Sequence, residues 1–141
     1  MARIAEDRVP EARAPEVRVH VCVTCKAGEV CEDAAERPGL RFRRALDAAV
    51  TAEDAEWLEV REVSCLASCD HGCAATISMA GKWSYLLGRL GAAKAADFLA
   101  YARTYRASKS GVVLPSKRTA SLHDAVLGRI PSFVPAAEDI A

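Results

Sequence analysis

Six cysteines carry the clearest chemical signal in this chain, and they fall into two groups. The first group is Cys22, Cys25 and Cys31, and the second is Cys65, Cys69 and Cys73. The spacings Cys-x-x-Cys and Cys-x-x-x-Cys bring sulfur atoms together within each group. If folding joins the two segments, the thiolates form a cage suited to zinc or to an iron-sulfur cluster.

Residue types alone leave zinc and an iron-sulfur cluster open. Structural zinc usually substitutes for a core in small modules, whereas this chain has 141 residues, 51% of them apolar, and is large enough to bury an ordinary core. We therefore favour the iron-sulfur cluster and keep zinc as the alternative. His20 and His71 lie near the cysteines in sequence and raise a Rieske-like mixed ligation, which we rank lower because thiols are abundant.

The overall amino-acid composition does not indicate a class of binding partner. Nineteen basic and nineteen acidic side chains balance to zero net charge, so neither a nucleic acid nor a membrane surface is predicted as a partner. Residues 1–16 mix charges with prolines, contain no apolar run, and predict a disordered tail that is not a signal peptide. We therefore expect a cytoplasmic protein, and in that reducing compartment closely spaced cysteines bind metal or do redox work.

The elements that must position the cysteines follow from apolar periodicity. Alternation predicts strands over 17–23, 57–63, 74–79 and 82–87, and helical spacing predicts helices over 40–50 and 92–108. The order β-α-β-β-β-α is that of an α/β sandwich with a small mixed sheet. A strand-helix-strand unit makes its strands parallel, so both cysteine loops should emerge at one edge of the sheet.

One domain is predicted, at 17–110. It follows the tail at 1–16 and precedes a C-terminal extension at 111–141, which contains three prolines and one short predicted helix over 121–129. No catalytic triad order, P-loop or Rossmann glycine pattern is present, so the sequence predicts a protein that is not an enzyme.

Several segments resemble a known family. The run from His20 to Cys25, the triplet Arg37-Pro38-Gly39, the run from Cys65 to Cys69 and the run from Gly81 to Tyr85 look like the thioredoxin-like 2Fe-2S ferredoxins. More closely, they resemble a bacterial family of small uncharacterised proteins described as predicted metal-binding. The resemblance covers about residues 17–108, and in the closer family it reaches Ile130-Pro131. It implies a thioredoxin-like sandwich and a 2Fe-2S cluster.

The resemblance also implies a ligand set. Cys65 and Cys69 match the Cys-x-x-x-Cys pair after the second strand of the ferredoxins, whereas the first loop is more crowded here than in that family. We predict Cys22 and Cys25 as the other two ligands, because they stand at the strand end and resemble the closer family's Cys-x-x-Cys. Cys25 with Cys31 is the alternative, and Cys73 is either a buried small hydrophobe or an exchangeable ligand.

A ligand set of this kind implies a one-electron carrier that meets a redox partner protein through a small, transient interface. The closer family implies an association with cobalamin biosynthesis. Two alternatives remain: a zinc or cobalt metal-handling protein, and a thiol-disulfide redox protein, although no good helix begins after the Cys-x-x-Cys. The oligomeric state, a homodimer included, is left open.

Other residues could support or present such a centre. Gly28 and Gly72 would let backbone amides approach sulfur, Ser64 and Ser68 add hydroxyls, and Lys26 adds a cation, although ordinary loop chemistry also explains each of them. Three arginines lie close together in the predicted helix: Arg41, Arg43 and Arg44. They form either a docking patch for a partner or an ordinary solvated helix face, and the sequence fits both explanations equally well.

Overall fold

The chain forms one mixed sheet of five strands. A computed structural model describes residues 15–27, 33 and 36–132. The strands are β1 (Val17–Cys22), β2 (Leu58–Val63), β3 (Ala75–Ser78), β4 (Ser84–Leu87) and β5 (Val126–Ile130). Their order across the sheet is β2-β1-β3-β4-β5, with β1 parallel to β2 and all other neighbouring pairs antiparallel.

Two helices pack on each other and on the sheet. Helix α1 spans Pro38–Ala49 and begins two residues before the predicted start, because proline suits the first turn of a helix. Helix α2 spans Ala95–Ala107 and follows a 3₁₀ turn at Ala92–Lys94. The rings of Phe42 on α1 and Phe98 on α2 meet edge to face, 5.6 Å between centroids. Within the described ranges neither helix has the length and apolar character needed to cross a membrane.

The core lies between the helices and one face of the sheet. In β1 the side chains of Val17, Val19 and Val21 are fully buried, while Arg18 is exposed and His20 half-buried. This is the predicted alternation of a strand with one covered face. The same face continues through the register pairs Val19–Ile77 and Ile77–Tyr85. The predicted α/β sandwich is confirmed.

The C-terminal extension differs from the prediction. The helix expected over 121–129 is wrong: only a 3₁₀ turn at Ala120–Leu122 forms, and Val126–Ile130 is a strand paired with β4. Gly128 disfavours a helix at this place, and Val126 and Ile130 are β-prone residues. Pairing with β5 also satisfies backbone groups that β4 would otherwise expose at a sheet edge.

The parallel pair is what positions the two cysteine loops. The last register pair of β1 and β2 is Cys22 with Val63, so both strands end at the same edge of the sheet. The first loop leaves from Cys22 and the second from Ser64. The predicted meeting of the two loops is confirmed.

Candidate metal centre

Five described thiols lie around that edge of the sheet. Cys22 ends β1, and Cys25 lies in the loop before α1. Cys65 follows β2, Cys69 opens a 3₁₀ turn at Cys69–His71, and Cys73 precedes β3. All five are free thiols. Cys31, the alternative first-loop ligand, and Gly28 lie outside the described residues.

The five thiols differ in exposure. Cys22, Cys25 and Cys73 are 4%, 5% and 0% exposed, whereas Cys65 and Cys69 are exposed. The inner three form part of the hydrophobic core. The burial of Cys73 resembles that of the proposed ligands Cys22 and Cys25, so both of its predicted roles, a small hydrophobe and an exchangeable ligand, stay predictions. The centre therefore has an apolar inner wall and an outer side open to solvent.

The thiols are close enough to affect each other's charge. The pKa of Cys69 is raised, first by the charge of Cys65, then by burial, and then by the charges of Cys25 and Cys22. Burial is the largest cause that raises the pKa of Cys73 to about 12, and the charges of Cys25 and Cys22 add to it. Each thiolate in such a group repels its neighbours, and a cation placed among them stabilises the ionised form of the sulfurs. The donor set is the one that iron-sulfur clusters and zinc prefer.

A complete coordination sphere is not formed by the described side chains. Among residues 15–27, 33 and 36–132, no three Cys, His, Asp or Glu side chains are close enough together to hold a metal ion as they stand. Cys65 and Cys69 are exposed, so their side chains have room to rotate. The thiols fit a thiolate-bound metal by their chemistry and by their place at one edge of the sheet.

Thr24 joins the first cysteine loop to the second. Its hydroxyl donates a hydrogen bond to the backbone oxygen of Ser64. The Sγ atom of Cys22 lies 3.6 Å from Thr24 Oγ1 and 3.7 Å from the same oxygen of Ser64. The sequence prediction missed the role of Thr24. The feature that points to it in the sequence is a hydroxyl residue between the two cysteines of the Cys-x-x-Cys motif.

Two glycines allow the backbone to pack against the first loop. The α-carbon of Gly72 lies against Cys25 Sγ, and that of Gly39 against the Cys22 carbonyl, so a β-carbon at either position would overlap its neighbour. The Gly39 N–H also donates to the Cys25 oxygen at 3.0 Å. The prediction that Gly72 lets the backbone approach sulfur closely agrees with this packing.

The second cysteine loop is a tight turn with a donor aimed at sulfur. Ala67 has a φ of 56°, and its N–H donates to Cys65 Sγ at 3.2 Å. The Ser68 hydroxyl donates to the Leu66 oxygen at 3.3 Å, so it supports the loop and does not contact a thiol there. Backbone donors of this kind offset negative charge on a ligating sulfur.

The two histidines that are near the cysteines in sequence have different surroundings. His20 lies on the face of the sheet opposite the buried valines, with its Nδ1 3.5 Å from Thr76 Oγ1. Burial is the largest cause that lowers the pKa of His20, followed by the charge of Arg18. His71 is exposed in the turn after Cys69, and its backbone oxygen accepts a 2.7 Å hydrogen bond from Arg89.

The three neighbouring arginines of α1 have different surroundings. Arg43 pairs with Asp47 and lies 3.8 Å from Glu62, so it links α1 to β2. Arg41 is exposed, and its Nε donates to the Glu36 oxygen at 3.0 Å. Arg43 thus takes part in ion pairs, and the two explanations of the three arginines, a docking patch and a solvated helix face, stay untested.

An open hollow of about 640 Å³ borders the outer side of the centre. It lies beside Cys69 and is lined further by Ala67, Ser68, Asp70, His71, Leu86 and Leu127. Of its two leucines, Leu86 lies on β4 and Leu127 lies on β5. The hollow gives an approaching molecule direct access to one of the candidate ligands.

Comparison with known proteins supports the fold. A family model described as "Protein of unknown function (DUF1636)" matches residues 19–132, a range that contains all the cysteines. No curated protein matches the chain. A solved structure described as a thioredoxin-like [2Fe-2S] ferredoxin from Aquifex aeolicus matches with a TM-score of 0.54 and 14% identity, covering 86% of this chain and 99% of that one. The predicted thioredoxin-like α/β fold is confirmed.

Proposed function

Because this chain belongs to the DUF1636 family of proteins of unknown function, its function must be argued from its own residues, and we propose that it is a one-electron carrier. The proposed cofactor is a 2Fe-2S cluster bound by Cys22, Cys25, Cys65 and Cys69. The observation that carries this proposal is the junction at Ser64, whose backbone oxygen contacts Thr24 and Cys22 of the first loop. That junction holds the two cysteine loops together at one edge of the sheet.

The chain's own residues would tune such a cluster. When bound, a 2Fe-2S cluster supplies reversible one-electron transfer. Cys22 and Cys25 belong to the core, so they would shield one side of the cluster from water. The Ala67 N–H points at Cys65 Sγ and would offset negative charge on the exposed side. Both effects are established ways in which a protein sets a cluster's potential.

The exposed side would be where the electron enters and leaves. Cys65 and Cys69 are the exposed thiols, and the hollow beside Cys69 offers Leu86 and Leu127 next to Asp70 and His71. A partner protein that covers this hollow would approach the cluster without any substrate pocket. The proposed role is therefore binding and transfer, with no catalysis, through a small transient interface.

A thiol-disulfide role is less well supported by the same observations. A reactive thiol pair needs exposure and a positive neighbour or a helix N-terminus. Cys22 and Cys25 are buried, and the next helix among the described residues begins at Pro38. Zinc or cobalt would use the same four thiols, so metal analysis must separate that alternative. The association with cobalamin biosynthesis and the cytoplasmic location stay predictions, and the oligomeric state, a homodimer included, stays open.

Replacing each of the six cysteines in turn, five by serine and Cys73 by alanine, tests the ligand set. We expect the visible absorption of protein purified without oxygen to be lost from the C22S, C25S, C65S and C69S variants. Cys73→Ala is the matched control, because it keeps a small apolar group in the core, and it should retain the colour. Loss of colour in C31S, with colour retained in C22S, would show that Cys31 is the ligand in place of Cys22. Colour retained in both C65S and C69S would contradict the proposed centre.

A further inference from the structure

An open cleft lies at the β5 edge of the sheet, and no thiol lines it. Its volume is about 360 Å³, within the range of small-molecule sites. The lining comes from β4, β5 and the loop after α2: Tyr85, Val112, Val113, Leu114, Pro115, Arg118, Val126, Leu127, Gly128 and Arg129. The wall is mainly apolar and contains two arginines and no acidic residue.

Those two arginines differ from most of the others in the described residues. A carboxylate lies within 4.0 Å of six arginine side chains: Arg18, Arg43, Arg61, Arg89, Arg103 and Arg106. Arg129 instead stacks over Trp83, 4.5 Å from the ring centroid. Arg118 donates to the Val113 oxygen at 3.4 Å, and its buried Nε has no partner among the described residues. The cleft therefore has excess positive charge.

A buried hydroxyl behind the cleft adds a second unused donor. Tyr101 is 2% exposed, and its hydroxyl has no hydrogen-bond partner in the described part of the chain. Its electrostatic neighbours include Tyr85 and Arg118, which both line the cleft. Burial is the main cause that raises the pKa of the Tyr101 hydroxyl, so the group stays protonated and is a donor. Buried donors are normally satisfied in folded proteins.

The apolar part of the cleft wall exposes surface to solvent that a bound ligand would cover. Leu114 is 55% exposed, and among the described residues Ile130 is the other exposed large apolar side chain. A ligand that covered it would gain from removing apolar surface from water. The cleft thus offers a cationic end and an apolar wall to the same molecule.

We propose that this cleft binds a small organic anion, with a carboxylate or phosphate head on Arg118 and Arg129 and an apolar body against Leu114 and Val126. Arginine is well suited to such heads, because its guanidinium binds them with two parallel hydrogen bonds. This inference stands on its own observations and does not require the cluster. Leu127 also lines the hollow beside Cys69, so the occupied cleft would adjoin the proposed electron-transfer surface.

Titration of the full chain, followed by amide NMR shifts, tests the proposal. The probes are octanoate, phenyl phosphate and the uncharged octanamide. We expect saturable shifts at Val113 and Gly128 with one or both anions, and binding weaker by about tenfold or more with octanamide, since it lacks the charge. Tighter binding of octanoate would assign a carboxylate head, and tighter binding of phenyl phosphate would assign a phosphate head.

Two variants and one control locate the binding site. Arg118→Gln and Arg129→Gln should each weaken anion binding by about tenfold. Arg129 is exposed, so its variant keeps the test valid if the Arg118 variant fails to fold. Arg61→Gln, the same change on the opposite edge strand, should bind as the unmodified chain does. The proposal is overturned by no saturable binding of either anion up to about 10 mM, by octanamide that binds as tightly as the tighter-binding anion, or by anion affinities that neither arginine variant changes.

Discussion

Gly72 lies with its α-carbon against the sulfur of Cys25, where no other residue would fit without a shift. The contact joins the second cysteine loop to the first, although the two residues are far apart in the chain. Together with the hydrogen bond from Thr24 to Ser64, this contact holds the two cysteine loops against each other. Changes in these small residues should therefore affect the centre without removing any thiol.

Gly72→Ala should disrupt the centre. The added β-carbon would overlap Cys25 Sγ, so the first loop must move. We expect a loss of about 1–3 kcal/mol in the free energy of unfolding, as for overpacked cores, and loss of most visible absorption. Urea unfolding and the absorption spectrum measure both. Gly91→Ala is the control, because a β-carbon at Gly91 meets nothing within 4 Å, and it should behave as the unmodified chain. Equal behaviour of the two variants would contradict the packing described here.

Thr24→Val should loosen the junction of the loops. The change removes the hydrogen bond to the Ser64 oxygen and keeps the side-chain shape. We expect a loss of about 1 kcal/mol in stability and faster loss of colour in air. Thr76→Val is the matched control, since Thr76 Oγ1 makes only a 3.5 Å contact with His20. If both variants keep their colour for the same time, Thr24 does not hold the loops together.

Ala67→Gly should be neutral or stabilising. Ala67 has a φ of 56°, a conformation that costs a residue with a β-carbon about 1–2 kcal/mol, and glycine removes that cost while adding freedom to the unfolded chain. The net expectation is about 0–1 kcal/mol of added stability by urea unfolding, with the N–H to Cys65 Sγ retained. Ala100→Gly in the middle of α2 should instead lose about 1 kcal/mol. A comparable loss in both variants would show that the turn is not strained at Ala67.

Asp54 should stabilise the fold above about pH 4. Its side chain is 7% exposed, and the hydrogen bonds from Arg103 are the largest cause that lowers its pKa from 3.8 to about 2. A carboxyl whose pKa is lower in the folded state stabilises the protein above the unfolded pKa, and that contribution is lost as the pH falls from about 4 to about 2. Because Arg103 is half exposed, solvent screens its interaction with Asp54, and we expect Asp54→Asn to lose about 1–2 kcal/mol at pH 7.

Unfolding at pH 7 and at about pH 2 checks this expectation, because the difference between Asp54→Asn and the unmodified chain should shrink at the lower pH. Asp47→Asn is the control, since Asp47 is an exposed partner of Arg43 and should change stability by less than about 0.5 kcal/mol. A loss for Asp54→Asn that stays the same at both pH values would rule out the ionised carboxylate as its cause.

Local periodicity was enough to predict the layers of this fold. Valines at every second position of β1 and apolar residues at helical spacing in α2 mark buried faces whatever their partners are. The parallel arrangement of β1 and β2 then follows from the helix between them, and it brings the cysteine loops to one edge. The alternation of β1 also places His20 on the opposite face, away from the thiols.

Features that depend on distant partners were not predictable in this way. The segment at Val126–Ile130 is short and mixed in pattern, and its strand state is decided by pairing with the edge of β4. The contact of Thr24 with Ser64 depends on the register of β1 and β2. The cleft with Arg118 and Arg129 needs three separate segments to pack together. Each of these depends on tertiary contacts that no local window contains.

The proposed electron carrier is tested most directly by iron, sulfide and zinc analysis of the full chain purified without oxygen, followed by reductive titration. The proposed 2Fe-2S cluster requires about two iron atoms and two acid-labile sulfides per chain, little zinc, and reversible bleaching by one electron. A colourless protein with one zinc ion per chain and no sulfide would contradict it.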